Sequence, residues 1–385
     1  MLPDAGTGRR VNGRRPIEIV GAGPAGLAAA ITLAHFGFRV VVYDERADVG
    51  HRFHGDFQGL ENWSTEADVT ALFVRMGIKT NFLCHPFLQA DLYDPDGRKV
   101  TIRASAPLFY LVRRGSDPGT LDQGLKAQAL EAGVEIVFGR RVEKLPEGGI
   151  VATGPKVADG IVKGVLFETT LPDMAVAIAD DRLAPKGYAY LLVHRGRATL
   201  ATVILREFRR EREFYEKTLA AFRKIVPLEM NRPREFGGYG NFVLHPTERH
   251  GARVYVGEAA GFQDALLGFG LRYAITSGYL AARSIIEGDS HDRLWRRELR
   301  PLLRTSVVNR FLFELAGHRG YRRLVAWMER SRDPRAVMRR QYRPWWPKRA
   351  LYPLVYPFYF RRSRFRDYSC SHEDCACVWC RCQRG

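Results

Sequence analysis

Ile17-Glu-Ile-Val-Gly-Ala-Gly-Pro-Ala-Gly-Leu-Ala-Ala-Ala-Ile31, followed by Val40-Val-Val-Tyr-Asp-Glu-Arg46, reads as strand, glycine turn, helix, strand and acid. Gly21 permits a tight turn, Gly23 lets the backbone approach a pyrophosphate, and Gly26 lets the helix pack closely on the sheet. Ala22, Pro24 and Ala25 complete a turn whose helix N-terminus offers free N–H groups and a positive dipole end to phosphates. Asp44 lies 23 residues after Gly21, where the second strand ends, followed by Glu45. A carboxylate there accepts hydrogen bonds from a ribose diol.

Around this unit lie 385 residues, 46% of them apolar, enough for one large or two interleaved domains. No run reaches the roughly 18 apolar residues of a membrane span. Arg9, Arg10, Arg14 and Arg15 make the N-terminus basic, and the apolar run behind them is the dinucleotide strand. The reading is a flexible basic tail and not a signal peptide. Of the net charge of +18, fifteen units fall from His291 onward, where 23 Lys/Arg face 8 Asp/Glu. Such a block implies an anionic partner or a solvated surface. Cys84 is isolated and the other five cysteines crowd into Cys370–Cys382, which leaves no disulfide framework and suits a cytoplasmic setting.

Further along, Leu88–Arg103 reads as a hairpin about Asp94-Pro-Asp-Gly97. Leu121–Ala132 has helical periodicity, and Gly149–Gly154 is a strand with a glycine turn. Residues 47–77 read as a loop and a helix. Strands at Tyr188–His194 and Ala198–Arg206 precede a charged amphipathic helix at Glu211–Ile225. Leu271–Ile286 is a further helix. The expected fold is α/β: a Rossmann-type domain (16–80, 105–154 and 246–290) interrupted by a sheet-rich substrate domain (81–104 and 155–245). Residues 1–15 form the basic tail, 291–368 a helical, basic, aromatic region and 369–385 a Cys-rich tail.

These motifs resemble the FAD-dependent oxidoreductases of the glutathione-reductase-like fold, and among them the geranylgeranyl reductases, over roughly residues 16–290. Tyr110-Leu-Val-Arg-Arg-Gly115 is similar to the family segment in which Arg114 would sit near the flavin nucleotide. Gly257-Glu-Ala-Ala-Gly-Phe-Gln-Asp264 resembles the family's Gly-Asp-Ala-Ala-Gly motif, whose acid, here Glu258, holds a ribityl hydroxyl. Gly268-Phe-Gly270 resembles the Gly-x-Gly that lets the flavin ring approach the backbone before a helix whose dipole stabilises the reduced ring. The resemblance implies FAD, with NAD(P)H or a ferredoxin-like protein as electron donor.

The chain also departs from the family. Glu258 replaces Asp, Ala265 stands where proline is usual, and Leu192-Val193-His194 replaces Phe-Pro-Lys. The cysteine after the first acid is missing, and His51, Arg52 and His54 occupy that loop. Gly237-Gly-Tyr-Gly240 reads as following no strand and preceding no helix, so a second dinucleotide domain is not expected. The Trp-x-Trp-x-Ile-Pro element of flavin halogenases is absent, and Ala158-Asp-Gly160 lacks the Ser and Arg of aromatic hydroxylases.

The resemblance implies reduction of C=C bonds in a hydrophobic, isoprenoid-type or lipid substrate, with a flavin monooxygenase and a non-redox flavoprotein as alternatives. His54 is the candidate proton donor, because imidazole titrates near neutrality. Glu61 and Gln58 are candidate orienting groups, and Trp63 and Phe57 read as packing residues. Tyr342–Phe360 holds eight aromatics and four prolines. The prolines argue against a continuous helix. The segment reads either as an anchor to an anionic membrane surface at the inner face or as an aromatic strap over the body. Nucleic acid is disfavoured, because no nucleic-acid fold accompanies the basic run. Cys375, Cys377, Cys380 and Cys382 could converge on zinc or an iron–sulfur cluster.

Overall fold

The structure is a computed structural model that describes residues 15–155, 158–244 and 248–360. The chain opens with β1 (Ile17–Val20), α1 (Pro24–His35) and β2 (Val40–Tyr43). There follow β3 (Phe57–Glu61), α2 (Val69–Arg75), β4 (Cys84–Phe87), β5 (Gln89–Tyr93), β6 (Lys99–Arg103) and β7 (Phe109–Arg113). Next come α3 (Leu121–Glu131), β8 (Glu135–Val137), β9 (Gly149–Val151), β10 (Gly160–Glu168), β11 (Met174–Ile178), β12 (Tyr188–His194) and β13 (Arg197–Ile204). After α4 (Glu211–Ile225) and β14 (Asn231–Gly240) stand the short β15 (Arg249–His250) and β16 (Arg253–Tyr255). The last described elements are α5 (Leu271–Glu287), α6 (His291–Glu298), α7 (Arg300–Glu329), α8 (Pro334–Tyr342) and α9 (Trp346–Phe360).

The strands form three sheets. The first runs β15-β16-β9-β1-β2-β8, with β1 parallel to both β2 and β9. Apart from Glu18, its central strands β1, β2 and β9 are apolar or aromatic because helices cover them. Helix α1 packs between this sheet and α5, in a core that includes Leu27, Ile31, Ile150 and Ile275. The second sheet runs β14-β10-β13-β12-β11-β5-β6 and is antiparallel except where β5 lies parallel to β11. Phe222 and Tyr215 of α4 close its outer face against Leu191 and Val193. The hairpin at Asp94–Gly97 thus becomes the edge of a larger sheet.

Three expectations are corrected. Residues 57–61, read as loop, form β3, the edge of a third sheet β3-β7-β4. Its pattern is broken by Gly59, where a Cβ would lie 2.3 Å from the Phe269 ring. The Gly237–Gly240 run does not stand apart from a strand: it ends β14 and pairs with β10, Gly238 opposite Val162. The prolines do not break the C-terminal segment, because α9 runs through Pro353 and Pro357. Both are exposed, four residues apart on the solvent side, where water can satisfy the freed carbonyls. Tyr352, Val355 and Tyr359 on the other side pack on Phe242, Val307 and Val308, and this burial outweighs the lost hydrogen bonds.

Candidate active site

One cavity of about 1500 Å³ runs between the first two sheets and under the C-terminal helices. At one end is the glycine turn. Gly21 has φ +105°, and a Cβ there would stand 2.3 Å from the Ala152 carbonyl oxygen. Gly26 faces back into the fold, where a Cβ would lie 2.0 Å from the Gly21 oxygen. Gly23 differs: a Cβ would meet nothing within 4 Å, because the position looks into the cavity. Gly23 is also the N-cap of α1, with Pro24 following, and no side chain caps the helix. Its first N–H groups therefore remain available. Ala22 and Ala25 line the same wall.

Asp44 sits at the end of β2 on the cavity wall. One carboxylate oxygen accepts from Ala22 N at 2.7 Å and the other from Arg46 N at 2.9 Å. The acid therefore holds the turn as well as facing the cavity. Glu45 is beside it.

Midway, Arg114 directly follows β7 as a buried cation. Its guanidinium is bidentate to Asp122 at 2.9 Å on both bonds, reaches Gln58 at 3.2 Å, and lies 3.9 Å over the Phe53 ring. Asp122 also accepts from Gly115 N. Arg114 is thus a strut of the cavity wall. Glu258 enters from the 3-10 turn after β16, and its carboxylate meets Arg52 at 2.6 Å. Gly257 lies behind it and donates its N–H to Ser277 Oγ. Gly268 and Gly270 line the far wall, Gly270 as N-cap of α5, again without a side-chain cap.

His54 also lines the cavity, with its ring Nδ1 3.4 Å from the Arg234 guanidinium. The buried Asp56 accepts from His54 N and from Gln58 Nε2. Glu61 faces inward to Ser64 and the Trp63 backbone, and Trp63 packs edge-on against Phe269 at 4.9 Å. Phe57 is buried in a cluster with Phe87 and Leu192. Burial pushes the Cys84 thiol up to about 12.

The sequence reading expected the 188–204 hairpin to line the substrate side, without assigning a role to its individual tyrosines or to the other groups on this wall. Tyr188 and Tyr190 project from β12 into the cavity, Tyr188 donating to the Leu267 carbonyl at 2.6 Å. Burial holds the Tyr190 hydroxyl well above its ordinary value, with Tyr188 and Asp56 adding to the effect. Asp264 accepts from Leu267 N at 2.7 Å, and burial pushes its carboxyl up to about 6. The C-terminal helices supply Asn309, Phe313, Leu324, Met328 and Gln341 to the same cavity. Their apolar residues at helical spacing were the available signal. Cys375, Cys377, Cys380 and Cys382 lie outside the described residues.

Residues 19–60 match the NAD(P)-binding Rossmann-like domain family. No curated protein matches the chain. Among solved structures, the chain resembles a geranylgeranyl bacteriochlorophyll reductase-like protein from Thermoplasma acidophilum (TM-score 0.67, 16% identity, 90% of this chain and 98% of that one). It is also similar to a flavin-dependent brominase (TM-score 0.61, 15% identity, 90% and 98%). A flavoprotein/dehydrogenase from Cytophaga hutchinsonii aligns likewise (TM-score 0.60, 14% identity, 90% and 98%). The chain has the fold of the FAD-dependent oxidoreductases, with the interrupted Rossmann domain expected from its sequence.

Proposed function

We propose that this protein is an FAD-dependent oxidoreductase that reduces carbon–carbon double bonds of a hydrophobic, isoprenoid-type substrate. The observation that carries the reading is one continuous cavity, from the open Gly23 position past Gly268 and Gly270 to apolar residues of β12 and α7. The uncapped start of α1 fits a pyrophosphate, and Asp44 with Glu45 fits a ribose. Glu258 and the start of α5 would hold the ribityl chain and the ring. Reduced FAD, when bound, supplies a hydride at N5. The chain contributes the proton for the second carbon, from His54 or from Tyr190, both on the cavity wall. Tyr190 keeps its proton at neutral pH. Leu324, Val325 and Met328 give the far end of the chamber an apolar wall.

NAD(P)H or a ferredoxin-like protein would supply electrons. None of the helices in the described residues is long and apolar enough to cross a membrane. Trp346 and Leu354 on α9 are more than three-quarters exposed, and Arg349 between them is exposed, which supports peripheral docking on an anionic membrane. The likeness to a brominase supports a second reading, a flavin monooxygenase.

An anaerobic absorption spectrum, followed by incubation of the reduced protein with prenyl lipids, tests the proposal. Flavin bands and a saturated product are expected. A colourless protein that takes up no FAD overturns it, and substrate-dependent oxygen uptake with hydroxylation favours the second reading.

A further inference from the structure

We propose that His85 and His194, with Asp173 behind them, bind one divalent transition-metal ion of the zinc class at a site separate from the cofactor cavity. His85 lies in β4, His194 ends β12, and Asp173 immediately precedes β11. These three residues offer one ligand atom each within 4.8 Å of one another. None of them lines the large cavity. His194 shares a strand face with Tyr190 and Leu192 by the two-residue period, yet Phe57, Phe87 and Leu192 pack into a cluster at this end of the sheet.

The hydrogen bonds prepare one nitrogen for ligation. Asp173 accepts from Arg195 N at 2.7 Å and lies 2.6 Å from His194 Nδ1. The carboxylate therefore keeps the His194 proton on Nδ1 and leaves the lone pair on Nε2. Nε2 is buried without a partner, on a residue only 4% exposed. A buried ring nitrogen without a partner calls for one, and a bound ion would supply it. The His85 ring lies beside it, 4.3 Å between centroids and tilted 30°.

A carboxylate behind a ligating imidazole is the arrangement that orients histidines on zinc. Two imidazoles select zinc, nickel or copper over magnesium or calcium. His85 is only partly buried, so water can reach the remaining positions from its side. The ion would staple β4 of the small sheet to β12 of the large one. It would act on sheet alignment and not on the flavin chemistry.

The test is a titration of the full-length chain with Zn²⁺ under reducing conditions, repeated with Co²⁺ for its spectrum. The tail cysteines are present in every variant, so the site appears as a difference. His85→Ala and His194→Gln should each lose one equivalent, and that equivalent should show weak Co²⁺ bands without thiolate charge transfer. Asp173→Asn should keep the equivalent but bind it about 10- to 100-fold more weakly. His85 is half-buried, so His85→Ala is expected to keep its circular dichroism and to decide the matter even if His194→Gln unfolds. Equal equivalents and affinity in wild type and His85→Ala would overturn the site. So would thiolate absorption in the lost equivalent.

Discussion

Arg52 and Glu258, 206 residues apart in sequence, meet at 2.6 Å beside the cofactor cavity. The same guanidinium donates to the Tyr239 carbonyl and lies 5.1 Å over that ring. It ties the loop after β2 to the end of β14 and the turn before α5. The pair is partly exposed, so its worth to stability is about 1 kcal/mol or less. Arg52→Ala should barely move the melting temperature, whereas Glu258→Ala should weaken FAD binding, read by flavin fluorescence quenching. Unchanged flavin affinity in Glu258→Ala would remove this acid from the cofactor site.

Two glycines of one fingerprint should fail in different ways. Gly26→Ala places a Cβ 2.0 Å from the Gly21 oxygen and should destabilise by about 3 kcal/mol or more, as overpacked cores do. Gly23→Ala meets no protein atom, so it should fold normally and lose flavin because its methyl occupies the phosphate cradle. Thermal melting and the visible spectrum of each variant separate the two effects.

The buried Arg114–Asp122 pair should be costly to break and cheap to replace. Asp122→Ala leaves a cation with a side chain 6% exposed and no counter-ion, a loss of about 3–5 kcal/mol. A joint Arg114→Met, Asp122→Leu replacement should unfold in urea closer to wild type. A single variant as stable as the parent would show that the pair is not the strut described above.

Asp264 sets a pH dependence of known sign. Its carboxyl rises from 3.8 to about 6 because of burial. The folded state therefore holds this proton more tightly than the unfolded chain does. The stabilisation it brings is complete below pH 3.8 and lost as pH rises through about 6. The stability of wild type relative to Asp264→Asn should therefore fall between pH 4 and 6 and level off above, in urea titrations at fixed pH. His291, buried and pushed down to about 4, contributes the opposite slope, so only the difference between the two proteins isolates Asp264.

The proton donor is decided by comparing His54→Gln with Tyr190→Phe. Whichever residue protonates the substrate, its variant should lose turnover by about a hundredfold or more while flavin reduction continues, in keeping with general-acid contributions. Equal turnover in both variants would assign the proton to solvent.

The local signals were legible in the sequence because they act over a few residues. The Gly21–Gly26 turn, Asp44 at the end of β2 and the helix at Glu211–Ile225 follow from spacing and backbone freedom alone. The β3 strand was not legible, since Gly59 breaks its pattern for the sake of the Phe269 ring, whose approach is a long-range event. Nor was α9, where burial of Tyr352, Val355 and Tyr359 against α7 overrides the propensity of two prolines. The tertiary fold alone decided that Arg52 would meet Glu258 and that His85 would lie against His194. Such pairings depend on strand register and helix docking between distant segments, and no pattern within either segment encodes the distance between them.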